Sequence, residues 1–194
     1  MDADDRQKKH DAYARRADPA TLVLAFVFLV VWSLRAIWTG MDPGLSRALF
    51  VVQGWIWLAF IADIVIRLVW SGNRWRWLWT HPIDLIAVFL PPARPLKILT
   101  VFTQGALLGG ARRALKTSQA VLVSAVLLMW IGAVSALSFE RGAEGANIVT
   151  FPDALWWSLV SVTTVGYGDF YPVTTEGRIV AMILMLVGIS LIGV

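Results

Sequence analysis

No cysteine occurs in the 194 residues, so neither a disulfide nor a thiolate metal site can serve this chain. Histidine is nearly as scarce. His10 and His81 stand alone, with no nucleophile beside a partner base, so acid–base catalysis has little to build on and no cofactor is expected. Charge is the third shortage: Asp, Glu, Lys and Arg make up 15% of the chain, against about 25% in soluble domains. With 58% hydrophobic residues and a mean hydropathy of +0.68, a water-exposed globule of this composition would aggregate. The composition therefore excludes a soluble class and points to an integral membrane protein. The net charge of +4 does not make a nucleic-acid surface, because the basic residues lie beside apolar runs and not in one polar patch.

Apolar runs of spanning length are what the chain has in plenty. Residues 1–19 form a polar stretch in which Arg6, Lys8, Lys9, Arg15 and Arg16 balance Asp2, Asp4, Asp5, Asp11 and Asp18. That stretch reads as a cytoplasmic tail, too long and too acidic for a signal-peptide head, so the first span is expected to be an uncleaved anchor. Ala20 to Trp38 approaches the ~20 residues that cross a bilayer, and Leu49 to Trp70 makes a second span. The second span carries Asp63 and Arg67 one helical turn apart; charges inside a membrane normally face protein or trapped water. Between Ser71 and His81, Trp and Arg alternate as headgroups favour, which suits an inner-interface loop. Ser118 to Phe139 and Ile179 to Val194 are further spans. Basic residues gather in the segments assigned inside, leaving Arg47, Arg141 and Arg178 outside, so both termini are expected in the cytoplasm.

Between the last two spans lies Thr163-Thr164-Val165-Gly166-Tyr167-Gly168-Asp169, preceded by Trp156 and Trp157 and followed by Tyr171-Pro172. Glycines alternating with Val165 and Tyr167 allow dihedrals closed to other residues, so successive carbonyls can all point one way. Four copies of such a line around an axis make stacked oxygen rings that replace the water around a potassium ion.

The segment from Phe151 to Val173 resembles the pore region of tetrameric potassium channels of the voltage-gated-like superfamily, of prokaryotic type. The resemblance implies that the carbonyls of Thr164, Val165, Gly166 and Tyr167, with Gly168, form a selectivity filter for permeant potassium. It further implies that Thr163, Trp156, Trp157 and Asp169 support the filter, the tryptophans as an aromatic cuff behind Tyr167. Phe151 to Thr163 looks like the pore helix, with Pro152 in a first turn that suits proline's missing donor. Its carboxyl end is expected to aim partial negative charge at the ion. The chain departs from some bacterial pore-only channels at Val160, where those carry a glutamate.

Phe60, Asp63 and Arg67 are similar in spacing to the second helix of voltage-sensor domains, and Asp84 stands where that family has an acid on the third helix. The fourth helix departs from the pattern. A working sensor repeats a basic residue every third position, whereas here Arg94 and Lys97 are followed by Thr100, Thr103, Ala106 and Gly109. If both charges crossed the whole field in four subunits, the work would be roughly 18 kcal/mol at 100 mV. Partial transit cuts that severalfold, so weak voltage dependence or none is expected. Gly188 sits where the family has a hinge glycine, though a glycine there equally permits close helix packing.

The expected architecture is an all-α integral membrane protein of six spans. Residues 1–19 are the tail, 20–110 a four-helix sensor-like bundle, 111–117 a linker, and 118–194 a two-helix pore domain with re-entrant pore helix and filter. The expected function is passive potassium conduction by four identical subunits in a prokaryotic inner membrane. Lipids would be its partners, along with a cytoplasmic domain or ligand beyond the last span. A genuinely voltage-gated channel using Arg94 and Lys97, a potassium transporter and a non-conducting membrane assembly are the alternatives. The transporter is disfavoured by the single filter and the lack of an internal repeat.

Overall fold

The computed structural model describes residues 3–70 and 112–192, and every regular element among them is an α-helix. These are α1 (Ala3–Ile37), α2 (Pro43–Trp70), α3 (Arg112–Glu140), α4 (Phe151–Val162) and α5 (Thr175–Ile192). Asp84, Arg94 and Lys97, with the expected third and fourth helices, lie outside the described residues. Three segments among those described are long and apolar enough to cross a membrane: Ala17–Ile37, Pro43–Trp70 and Val121–Glu140.

Two expected polar segments are helical. α1 begins at Ala3 and continues through the tail into the first span, because Ala, Arg, Lys and Gln are good helix formers. Pro19 lies inside it and removes one backbone donor. Close by, the Thr21 hydroxyl donates to the Asp18 carbonyl at 2.9 Å. α3 likewise begins at Arg112, so residues 112–117 are helical. No glycine or proline interrupts that stretch.

The chain divides into two compact units. α1 up to Trp32 and α2 lie in the first; Ser33–Thr39 and α3, α4 and α5 lie in the second. In the first unit α2 buries Ile56, Phe60, Asp63 and Arg67, a stripe at three- and four-residue spacing. Its other faces expose Phe50, Trp55 and Val65, the composition of a helix bathed in lipid.

In the second unit α3 supplies the central layer, burying Leu128, Ile131, Val134 and Leu137. Gly132 lets three helices meet: a Cβ there would lie 2.8 Å from Leu184 Cδ1 and 3.0 Å from Ser158 Oγ. Ser158, itself buried, donates to the Met129 carbonyl at 2.8 Å and ties α4 to α3. Trp130 packs edge-on against Phe151 with centroids 4.9 Å apart, and its Nε1 donates to Ser33 Oγ at 2.9 Å. The Arg141 guanidinium donates to the carbonyls of Ala36 and Val149. The first of these lies in the final turn of α1, where a cation also complements the helix dipole.

Candidate functional site: the pore loop and its supports

α4 starts as its sequence dictates. Thr150 is the N-cap, at φ −117° and ψ 158°, and its Oγ1 accepts the Asp153 amide at 3.4 Å. Pro152 fills the first turn, and Asp153 sits at the positive end of the dipole. The helix ends at Val162 because the chain turns back on it. The Thr164 amide donates to the Ser161 carbonyl at 3.1 Å, and those of Val165 and Gly166 share the Val160 carbonyl at 3.0 and 3.3 Å.

The loop that follows alternates in hand. Thr164, Gly166 and Gly168 have φ of 60°, 59° and 79°, while the intervening Val165 and Tyr167 do not take positive values. In such an alternating backbone successive polar groups converge on one side. The glycines were expected to adopt this geometry. Thr164 was not, because a β-branched residue in the left-handed region is strained by about 1–3 kcal/mol and persists only where its surroundings hold it. Thr163 to Asp169 are all exposed, Val165 at 53% and Tyr167 at 68%. Among the described residues the loop is covered by little beyond the Trp156 ring.

Its outer end is held by side chains. Trp156 stacks on Tyr167, with ring centroids 5.9 Å apart and planes 3° from parallel, and its Nε1 donates to Asp169 Oδ2 at 2.7 Å. Trp157, about 100° further round the helix, is buried. Beyond the loop, buried Glu140 accepts the amides of Val173 (2.9 Å) and Thr174 (3.0 Å) and the Thr174 hydroxyl (2.6 Å). On α5, a Cβ at Gly188 would lie 3.3 Å from the Val162 carbonyl, so that glycine admits the end of α4. Trp156→Phe keeps the stacking surface and deletes the N–H, losing a charge-assisted bond of about 1.5–3 kcal/mol. Faster amide exchange at Phe170, whose N–H donates to Asp169 Oδ1 at 3.0 Å, is the expected result in detergent.

The first unit holds a second polar cluster. Arg67 Nε donates to Asp63 Oδ2 at 2.9 Å and its Nη2 to Asp18 Oδ1 at 2.8 Å. Tyr13 donates its hydroxyl to Asp63 Oδ1 at 3.0 Å, lies 5.8 Å beneath the Arg67 guanidinium and packs edge-on against Trp70. Burial pushes the Tyr13 phenol above its usual 10, and the hydrogen bond and charge of Asp63 add to the rise. The protonated phenol is therefore the folded form at neutral pH, and its contribution is lost only as pH rises through that elevated value. Removing one partner of a buried pair costs about 3–5 kcal/mol, whereas removing both costs little. Asp63→Ala is thus expected to lower the thermal midpoint in detergent markedly, with Asp63→Ala/Arg67→Met recovering most of the loss.

Phe60, Asp63 and Arg67 share one buried stripe as their spacing predicts. Thr163, Thr164, Val165, Gly166, Tyr167, Gly168 and Asp169 fall in one loop against Trp156. Sequence reasoning missed Tyr13, Asp18 and Asn147 as partners of these residues. For Tyr13 the available signal was a lone aromatic in a charged stretch; for Asn147 there was none.

α3, the short returning α4, the loop and α5 follow one another within one compact unit. Residues 120–194 match the ion-channel family model, and the apolar helices make the chain an integral membrane protein. The chain is 37% identical over 73 residues to the calcium-gated potassium channel TvoK of Thermoplasma volcanium, covering 38% of this chain and 21% of that protein. It is 36% identical over 81 residues to potassium voltage-gated channel subfamily A member 5 of Mus musculus, covering 40% of this chain and 14% of that protein. The human counterpart matches equally, at 36% over 81 residues, 40% of this chain and 13% of that protein. The chain thus spans about a fifth of the archaeal relative and about a seventh of the mammalian ones.

Proposed function

We propose that four copies of this chain form a potassium-selective channel that conducts passively through a filter built from Thr164 to Gly168. The observation that carries the reading is the alternation of hand at Thr164, Gly166 and Gly168 in an exposed loop. A line of oxygens in one subunit coordinates poorly, whereas four lines around an axis replace a hydration shell. Likeness to proteins named as potassium channels supports the choice of ion. Thr163, Trp156 and Asp169 support the filter, and Gly188 serves as close-packing point and candidate hinge. The membrane is a prokaryotic inner membrane, with both termini cytoplasmic.

Voltage dependence is weak in this reading, because Arg94 and Lys97 are followed by a long neutral interval. A steeper response using those two residues is the second reading, favoured by the buried stripe of Phe60, Asp63 and Arg67. Single-channel recording from purified protein in planar bilayers, with potassium facing sodium, tests both. A reversal potential near the potassium value with voltage-independent open probability is expected. Sodium permeability equal to potassium would overturn the filter assignment, and steeply rising open probability would favour the second reading.

A further inference from the structure

The outer end of the loop is also gripped from the segment between α3 and α4. Asn147 Nδ2 donates to the Asp169 carbonyl at 3.1 Å, and its Oδ1 accepts the Tyr171 amide at 3.2 Å. One planar amide thus spans the two backbone groups either side of Phe170, as a neighbouring strand would. A carboxamide presents a donor and an acceptor side by side in one plane, and the two partners here set which atom faces which.

The placement of Asn147 is built by its neighbours. Gly142 and Gly145 take φ of 88° and 75°, and the Ala146 amide closes a turn on the Ala143 carbonyl at 3.2 Å. On the other side Ile148 is fully buried. A turn before and an anchor after leave Asn147 aimed at the exit of the loop. The neighbouring restraints cover different groups: Trp156 holds the Asp169 side chain, and Glu140 holds the amides of Val173 and Thr174. At position 160 the valine side chain offers the loop no polar atom.

We infer that Asn147 is a positioning residue for the outer mouth of the filter, fixing the backbone from Asp169 to Tyr171 so that the strained, exposed loop keeps its conducting shape. This rests on the conduction reading above for its functional half. Two substitutions separate the two hydrogen bonds. Asn147→Asp keeps the acceptor for Tyr171 and removes the donor to Asp169; Asn147→Leu removes both at similar volume. Glu144→Gln, exposed on the same segment, is the control.

The first measurement is amide exchange at single-residue resolution on the full chain in potassium-containing detergent. Tyr171 is expected to exchange faster in Asn147→Leu, about five- to tenfold for one lost hydrogen bond, and as in wild type in Asn147→Asp and Glu144→Gln. Val173 and Thr174 are expected to stay protected in all. The second is single-channel burst duration. It should shorten about fivefold or more in Asn147→Leu and less in Asn147→Asp, and lengthen again with raised external potassium, since ions in the filter brace the loop. Wild-type exchange at Tyr171 in Asn147→Leu overturns the clamp; altered exchange with wild-type bursts overturns the positioning role. A wild-type protein that passes no potassium current sinks the conduction reading, and the exchange result then decides the clamp alone.

Discussion

Gly166→Ala is expected to abolish potassium current while the protein still assembles. Among the described residues no atom lies within 4 Å of a Cβ added there, so the effect is not a clash with them. It comes from the backbone, held at φ 59° where alanine is disfavoured by about 1–2 kcal/mol. In a fourfold ring the penalty applies in every subunit, roughly 4–8 kcal/mol in total, enough to lower the population of the conducting loop by more than about a thousandfold. Thr164 already carries strain two residues earlier, which leaves the loop little reserve. Gly54→Ala, inside α2, is the control: no atom among the described residues lies within 4 Å of the added Cβ, and the site is far from the loop in sequence. Current is expected to survive there. Substantial potassium flux through Gly166→Ala would remove the filter assignment.

Glu140→Ala is expected to have the largest effect on stability. The carboxylate is fully buried and accepts three hydrogen bonds from the start of the segment leading into α5. Deleting it strands two backbone donors and leaves the Thr174 hydroxyl to find another acceptor. At about 1–3 kcal/mol for each of the two unsatisfied donors, roughly 2–6 kcal/mol is at stake. That is a large part of the 5–15 kcal/mol that typically separates folded from unfolded domains. Loss of a monodisperse oligomer in detergent is the expected result, measured by size-exclusion chromatography and thermal melting. Glu140→Gln should fall between, because its amide group turns a donor toward another donor. The same bracket explains Gly177, where a Cβ would sit 2.1 Å from Glu140 Oε1. A Glu140→Ala protein that melts like wild type would show that the bracket does not hold α5.

The features that carry the functional reading were legible because they are local. Thr150, Pro152 and Asp153 cap α4 through bonds three residues long, and Gly166 and Gly168 take the dihedrals that only glycine adopts freely. The stripe of Phe60, Asp63 and Arg67 follows from helical periodicity alone. Composition was equally sufficient for the membrane class, since burial in lipid rewards apolar side chains wherever they fall on a helix. The helical course of the tail was less legible, because balanced charges read equally well as a solvated tail or a helix.

Tertiary structure alone decided what joins these pieces. Tyr13 reaches Asp63 across 50 positions and Asp18 reaches Arg67 across 49. Asn147 meets the loop across 22 and 24, and Glu140 reaches Val173 and Thr174 across 33 and 34. No periodicity or propensity encodes such pairings. They depend on the rotation and height of one helix against another, which side-chain packing sets cooperatively. The left-handed Thr164 belongs with them, since its intrinsic preference points the other way and only its surroundings hold it there. Thus the sequence by itself determined the membrane class, the helices' apolar faces and the glycine-alternating string, while packing decided which distant side chains hold that string in shape.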